Sequence, residues 1–391
     1  LPEHAEQVAA GKLEVTVSPY SHPILPLLID IENGRVAKPD ATLPDEPFAW
    51  PLDARLHLAL AQERYRDVFG RPARGMWPSE GSVSPEAARL IREEGLDWIV
   101  TDVAILEKAL GRSVPASEAL RPYRYEGLNI FFRDTSLSDL IGFTYSSWPL
   151  DEAVADFLRR VREIAAASSL EHPVLTVAMD GENAWEHFAY GGYAFLAALY
   201  AAIEAAPDID TVTFSGYLDA HPEAVEEVGA LGTGSWIYGD FSTWIGDPYK
   251  NRAWEVLSNA RRELQNHLRE SRADLMGPDA ERPGQARLRL LALGALPEIQ
   301  TLLRAESSDW FWWYGEGHSS INDPDFDYLF RANLRHLYAL MGKPSPARIE
   351  KPLTDEQRDG SGTIPPRALI CPSITGELDN YFEWLSAGHY E

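Results

Sequence analysis

The fold is decided by residues 174–185, which read VLTVAMDGENAW. The apolar run from Val174 to Ala178 predicts a buried strand, and Gly181 indicates a turn directly after Asp180. In parallel α/β domains the functional residues lie at the carboxyl ends of such strands. We therefore expect Asp180 in a functional cleft, with Glu182 placed to bind ligand hydroxyls or to raise the pKa of Asp180. The structural alternative is an Asx turn in which Glu182 caps the next helix.

Strand and helix signals alternate along the chain up to about residue 248. Further apolar runs predict buried strands at 13–17, 98–100 and 129–132. Helical patterns between the strands predict helices at 85–95, 151–167 and 195–205. Alternation of this kind predicts parallel strands with helices outside them, which is an α/β layered or barrel domain.

The pattern changes after residue 248 to three long helical stretches, 253–272, 286–305 and 326–341. We expect a barrel core over 1–248, a helical subdomain over 249–345 that completes the cleft, and a proline-rich extension over 346–391. The chain starts with LPEHAE and has no initiator methionine. We therefore expect a processed or trimmed piece of a longer protein, with the extension leading towards a domain that is absent here.

A second acid lies in a similar setting about a hundred residues earlier, in GMWPSEGSVS at 75–84. Pro78 disfavours helix just before Glu80, and Gly81 permits a close turn just after it. Trp77 offers a stacking face for a sugar and an apolar wall beside the carboxylate. Two acids supplied by the ends of different strands are what a retaining sugar hydrolase requires, at a separation of about 5–5.5 Å. The alternative is that Glu80 is an ordinary surface residue at a turn.

Two other segments carry candidate binding residues. His22 follows a predicted strand in a loop with three prolines, SPYSHPILP, which can present the imidazole to a ligand. The run SDWFWWYG at 308–315 places Asp309 beside five successive aromatic residues, among them Trp312. Rings that stack on a sugar and a carboxylate that binds its hydroxyls are typical of a sugar subsite. A structural role for His22 and burial of some of the aromatic rings are the alternatives.

Composition excludes several other classes of protein. The 391 residues carry a formal net charge of -25, which disfavours nucleic acid and anionic membrane surfaces as partners. Cys371 is the only cysteine, so an intrachain disulfide is excluded. We expect no metal, because the ten histidines include no pair at i, i+4, and Asp180, Glu182 and His187 form only a weak candidate for a cation. The oligomeric state and cellular location stay open, with cytoplasm favoured over secretion.

Taken together in this order, the motifs resemble glycoside hydrolase family 57, and within it the amylopullulanase-like α-glucan hydrolases. The likeness spans nearly the whole chain. The segments that carry it are SPYSHPILPLL at 18–28, GMWPSEGSVS at 75–84, FFRDTSLSDLIGF at 131–143, AMDGENAWE at 178–186, GSWI at 234–237 and SDWFWWYG at 308–315.

The resemblance implies a (β/α)7 barrel without a cofactor, and a retaining mechanism with Glu80 as nucleophile and Asp180 as acid/base. It implies substrate-binding roles for His22, Trp77, Glu182, Trp185, Asp309 and Trp312. The implied substrates are starch, glycogen or pullulan, cleaved at α-1,4 and also α-1,6 bonds through a glycosyl-enzyme intermediate. A transglycosylase (a branching enzyme or a 4-α-glucanotransferase) and a carbohydrate-binding remnant without turnover are the alternatives.

One expected motif is missing. The family begins with a His-Gln-Pro motif on the first barrel strand, and this chain does not contain that sequence. The segment was cut away, or it is supplied separately, or the barrel lacks a strand. We therefore expect a barrel that is incomplete at its first strand.

Overall fold

The computed structural model describes residues 2–275, 283–315, 317–318 and 320–354, together with two short strands further along the chain. Most of the predicted proline-rich extension, including Cys371, lies outside these residues. The two short strands, Thr363–Ile364 and His389–Tyr390, pair antiparallel.

The main sheet has five strands in the order β1-β2-β4-β3-β5. They are β1 Gly75–Met76, β2 Trp98–Asp102, β3 Tyr123–Tyr125, β4 Leu128–Arg133 and β5 Glu226–Glu227. Strands β1, β2 and β4 are parallel, whereas β3 returns antiparallel to β4 and pairs parallel with β5. Glu126 and Gly127, both at positive φ, form the two-residue turn that such a hairpin requires.

Single paired residues extend the parallel part of the sheet on both sides. Val17 pairs parallel with Met76, and Thr176 pairs parallel with Arg133. Five segments therefore run side by side in the same direction, which confirms the α/β class. The predicted strands at 13–17 and 174–178 were too long, since only Val17 and Thr176 of these runs form a described bridge. Among the described pairings the strands do not close into a ring, and the seven-stranded barrel stays a prediction.

Helices account for most of the remaining described chain. Their bounds are α1 Pro2–Ala9, α2 Leu25–Ile29, α3 Asn33–Ala37, α4 Pro51–Phe69, α5 Pro85–Glu93, α6 Val103–Leu110, α7 Thr135–Phe143, α8 Leu150–Ala166, α9 Tyr193–Glu204, α10 Phe214–Ala220, α11 Pro248–Ser271, α12 Pro283–Gly294, α13 Pro297–Ala305, α14 Ser308–Trp312 and α15 Asp323–Leu340. No helix among the described residues is both long and apolar enough to cross a membrane.

The helices agree with the sequence patterns at most positions. Helix α5 begins as predicted, with the Ser84 hydroxyl accepting from the Ala87 amide and a proline at its first position. The single helix predicted over 286–305 was wrong, because Pro297 has no amide hydrogen and starts a new helix instead. Helix α4 was missed because Asp53, His57 and Gln62 are buried in it and interrupt its apolar pattern.

The largest buried cluster joins α2, α4 and α5 to α11, α13 and α15. It includes Trp254, whose ring packs edge-on against Phe48 at 5.2 Å and stacks on Phe311 at 4.2 Å between centroids. Smaller clusters form around α7, α8 and α9 and around Trp98. Only glycine fits at position 75, because a Cβ there would lie 2.0 Å from the indole of Trp98. The division into a barrel core and a helical subdomain stays a prediction.

Candidate active site

The five parallel segments end at one edge of the sheet, and each end carries a polar side chain. In the order of the segments these side chains are His22, Glu80, Asp102, Arg133 and Asp180. Because carboxyl ends of parallel strands meet on the same side, this edge is where an active site is expected in an α/β domain.

Arg133 links several of these ends. Its Nε donates to Asp102 at 2.7 Å, and its two Nη atoms donate to the Ala178 carbonyl at 3.0 Å and to Asp139 at 3.1 Å. The guanidinium carbon also lies 4.7 Å from the ring centroid of Trp236. A buried arginine bound on three sides fixes the backbone two residues before Asp180.

Glu80 is held in a strained backbone conformation. Its φ is 56°, in the left-handed region that costs a non-glycine residue about 1–2 kcal/mol. Trp236 holds it there, because its Nε1 donates to Glu80 Oε2 at 2.9 Å and its amide donates to the Glu80 carbonyl at 3.1 Å. Strain retained at such a position is typical of a functional residue.

The surroundings of Glu80 raise its pKa to about 7. Burial is the largest cause, the hydrogen bond from Trp236 opposes it, and the negative charges of Asp180, Asp309 and Glu182 raise the pKa further. A carboxyl with this pKa is about half ionised at neutral pH. The three acids named at sequence level are thus close enough to Glu80 to act on its ionisation.

The pKa of Asp180 is also raised, by partial desolvation first and by Glu182 second, while Arg133 lowers it. Asp180 is an exposed residue that precedes a short 3-10 turn, Gly181–Ala184. Its side chain makes no capping hydrogen bond to that turn. The structural alternative required the Asp180 carboxyl to close this turn with a hydrogen bond. The turn shows no such bond.

His22 lies across the site on a strained loop. Ser21 and His22 both have positive φ, at 57° and 54°. The His22 Nδ1 and the Ser308 hydroxyl are 2.9 Å apart, and the Ser308 amide donates to the His22 carbonyl at 3.0 Å. Burial lowers the pKa of His22, and Asp309 opposes this by raising it. A neutral imidazole next to a carboxylate is suited to hydrogen bonding with hydroxyl groups.

A buried network lies beneath these two segments. His57 Nε2 is 2.9 Å from Glu306 Oε2, and His57 Nδ1 bonds the Tyr20 carbonyl. Burial lowers the pKa of His57 to about 3 and raises the pKa of Glu306 well above its ordinary value. These directions favour a neutral hydrogen bond in which protonated Glu306 donates to His57, although the 2.9 Å separation is also that of a salt bridge. Asp53, which also raises the pKa of Glu306, is paired with Arg261 at 2.6 Å.

This network positions both walls of the site. Tyr20 directly precedes the strained Ser21 and His22, and Glu306 directly precedes Ser307, whose hydroxyl donates to Asp309 at 3.0 Å. Fixing Tyr20 and Glu306 to one buried histidine therefore fixes the distance between the two segments.

The three candidate tryptophans lie on three different segments. The ring of Trp77 meets that of Trp236 edge-on, with centroids 5.0 Å apart. Trp312 lies one helical turn after Asp309 in α14 and stacks on His318 at 4.1 Å. Trp185 is 49% exposed, and its amide donates to the Glu182 carbonyl at 3.0 Å.

The aromatic run 308–315 is anchored from α11. Lys250 is buried, and its ammonium donates to the Phe311 carbonyl at 2.7 Å. Burial lowers the pKa of Lys250 to about 8, and Asp247 opposes the shift. A charge placed at the end of α14 satisfies carbonyls that the short helix leaves without partners.

The model for Glycosyl hydrolase family 57 matches residues 1–229, which is more than half of the chain. The chain belongs to glycosyl hydrolase family 57. This confirms the family that the motifs indicated, and with it the prediction of a glycoside hydrolase. No curated protein matches the sequence.

Solved structures of the same family share the fold. A family 57 branching enzyme from Pyrococcus horikoshii has a TM-score of 0.63 at 18% identity, over 89% of this chain and 69% of that one. A branching enzyme from Thermococcus kodakaraensis, solved with glucose, has 0.62 at 17% identity, over 86% and 67%. An α-amylase from Thermotoga maritima has 0.61 at 16% identity, over 88% and 71%. At these identities the likeness establishes the fold alone.

Within this family 57 chain, the structure brings six of the eight predicted site residues into one electrostatic or packing network. The charges of Asp180, Glu182 and Asp309 raise the pKa of Glu80, and the charge of Asp309 raises that of His22. Trp77 contacts the indole of Trp236, which binds Glu80. Trp185 and Trp312 are carried by the adjoining turn and helix. Their catalytic and binding roles stay predictions.

Sequence reasoning missed two residues of this network, Arg133 and Trp236. Both lay inside motifs that indicated the family, but neither has a signal of its own that distinguishes a site residue from a packed one. A cavity of about 620 Å³ lies elsewhere, between α11, α15 and residues 343–349, and neither Glu80 nor Asp180 lines it.

The neutral state of Glu306 can be tested by substitution. Glu306→Gln keeps a donor for His57 and should change the free energy of unfolding by less than about 1 kcal/mol, because it replaces a protonated acid. Glu306→Ala removes the bond and leaves a cavity, and should cost about 3 kcal/mol. Urea unfolding measures both.

The exposed Glu270→Ala is the matched control and should stay within about 0.5 kcal/mol of the parent. If Glu306→Gln were as destabilising as Glu306→Ala, Glu306 would be an ionised partner of His57, contrary to this assignment.

Proposed function

We propose that this chain is a retaining glycoside hydrolase that cleaves α-1,4-glucosidic bonds, and also α-1,6 bonds, in starch, glycogen or pullulan. Glu80 is the nucleophile and Asp180 the acid/base. The observation that carries the proposal is that these two acids, from the ends of different strands, both have raised pKa values and that Asp180 contributes to that of Glu80. Coupled carboxyls of this kind are what the two-step mechanism needs.

In the first step the Asp180 carboxyl donates its proton to the glycosidic oxygen while Glu80 attacks the anomeric carbon. The carbon–oxygen bond to the leaving sugar breaks, and an ester to Glu80 forms. In the second step Asp180 takes a proton from water, the water oxygen attacks the anomeric carbon, and Glu80 leaves as a carboxylate. Asp180 is then protonated again.

One contact of Glu80 supports this division of labour, although burial raises the pKa of Glu80 more than that of Asp180 in the unliganded site. The productive form carries one proton on the pair, and that proton must lie on Asp180. The Trp236 N–H favours the ionised form of Glu80 and occupies Oε2, which leaves Oε1 for attack. Because the two carboxyls interact, they titrate as a pair and not as independent groups.

The remaining predicted residues have roles that follow from their chemistry. His22, Asp309 and Glu182 bind sugar hydroxyls, and Trp77, Trp185 and Trp312 offer faces on which sugar rings stack. We also propose that the parallel series belongs to the (β/α)7 barrel and that α11 to α15 form the helical subdomain that completes the cleft.

The proposal is tested by product analysis on amylose and pullulan with the purified chain. Hydrolysis should release reducing ends, and Glu80→Gln and Asp180→Asn should each lower kcat/KM by at least about 10³-fold. Glu152→Gln and Asp151→Asn replace exposed acids at the start of α8 and should leave the rate unchanged.

New branch points or disproportionated chains without a rise in reducing ends would show that the same acids catalyse glucan transfer and not hydrolysis. Binding of amylose without any turnover would refute the enzymatic proposal and leave a carbohydrate-binding remnant.

The pH profile separates the roles of the two acids. If Glu80 is the nucleophile, it must be ionised, so kcat/KM should rise with pH through the pKa of about 7. Trp236→Phe removes a donor that lowers this pKa, and should move the acid limb to higher pH. Trp148→Phe, at a partly exposed indole outside the site, should leave the limb in place.

A profile that falls as the pH rises through about 7 would assign Glu80 as the general acid instead. An acid limb that moves to lower pH in Trp236→Phe would contradict the role given to the indole.

A further inference from the structure

A second group of polar side chains lies at the other end of the parallel segment that leads to Asp180. His172 comes two residues before Val174, whereas His221 and Glu223 come 49 and 51 residues after His172, at the end of α10. The catalytic proposal uses none of the three.

The three ligand-bearing atoms are close together. His172 Nε2 is 3.9 Å from Glu223 Oε1, and His221 Nδ1 is 3.5 Å from the same oxygen. The two imidazole rings are stacked with centroids 4.0 Å apart, and all three ligand atoms lie within 4.8 Å of one another.

The backbone that carries these side chains is fixed by the protein itself. The hydroxyl of the buried Tyr217 donates to the His172 carbonyl at 2.5 Å, and the His221 amide donates to the Tyr217 carbonyl at 2.8 Å. Pro222 then begins a short 3-10 turn, Pro222–Ala224, that carries Glu223. One tyrosine therefore holds both histidines in place before any ion binds.

We propose that His172, His221 and Glu223 bind a divalent transition-metal ion of the Zn²⁺ type. Two imidazole nitrogens and one carboxylate favour zinc and its neighbours over Ca²⁺ or Mg²⁺, which take oxygen ligands. Tetrahedral zinc with bonds of about 2.0–2.1 Å separates its ligand atoms by about 3.3–3.4 Å. The spacings from the two histidine nitrogens to Glu223 Oε1, 3.9 and 3.5 Å, therefore need to contract by about half an ångström at most. The two nitrogens, which lie within 4.8 Å of each other, must close to the same separation.

The charges and access around the three residues also suit a cation. Glu171 lies 3.9 Å from His172 Nε2 and can supply a fourth ligand, with water as the alternative. Arg121, the nearby positive group, is already paired with Glu226. An adjoining cavity of about 180 Å³ opens the site to solvent; it is lined by Arg121, Leu170, Glu171, His172, Glu223 and Ala224.

The ion would be structural. Asp180 follows this parallel segment whereas His172 precedes it, so the metal joins the start of the segment to α10. Closing a loop of 49 residues in this way stabilises the folded chain, because the ion binds the assembled ligands much better than the unfolded ones.

The test is zinc binding to the whole chain after treatment with a chelator. Calorimetry should give one equivalent of Zn²⁺, and Zn²⁺ should raise the midpoint of thermal unfolding. Cobalt in place of zinc should give the intense visible absorption of a tetrahedral site. His172→Gln and His221→Gln should each weaken binding at least about tenfold and remove that absorption.

His336→Gln, at an exposed histidine on α15, is the matched control and should bind zinc as the parent does. Glu223→Gln is a milder variant for the case in which a histidine variant unfolds, and it should also weaken binding. Absence of saturable binding would overturn the proposal. So would binding that survives loss of both histidines but disappears in Glu182→Gln, because the ion would then belong to the acids of the catalytic site.

Discussion

The buried guanidinium of Arg133 is the interaction on which the site depends. It donates hydrogen bonds to Asp102, at the end of β2, and to the carbonyl of Ala178, two residues before Asp180. It also lies over the indole of Trp236, which donates to Glu80. Both proposed catalytic acids are thus positioned by one cation. Removing one partner of such a buried pair typically costs about 3–5 kcal/mol, which is why the arrangement is rigid once formed.

Several residues at the same edge of the sheet are held in energetically unfavourable states. Glu80 and His22 both have left-handed backbone conformations, and the charges of three further carboxylates disfavour the ionisation of Glu80. Such strain persists only when the surrounding structure determines it. Here Trp236 holds Glu80, and the buried pair of His57 and Glu306 holds the segments that carry His22 and Asp309.

Much of this site can be predicted from the sequence, because Glu80 and Asp180 each follow a strand and precede a glycine. Asp180 and Glu80 could be named from that pattern alone, and helix α5, which begins with a cap and a proline, was found for the same local reason. What could not be read were interactions between distant segments. Trp236 becomes a site residue only because it lies against Glu80, 156 positions earlier, and α4 conceals its helical pattern because it buries polar partners for other elements. His172 and His221 have no zinc-like spacing along the chain and meet only in the fold.

The central claim is that Glu80 forms a covalent bond to the sugar. It is tested most directly by incubating the chain with an activated fluoroglucosyl fluoride, which forms the ester faster than water removes it, and mapping the label by peptide mass spectrometry. One glycosyl group on the peptide that contains Glu80, and none on that peptide in Glu80→Gln, is the expected result. A label on Asp180, Glu182 or Asp309, or turnover with inverted anomeric configuration and no label, would contradict it.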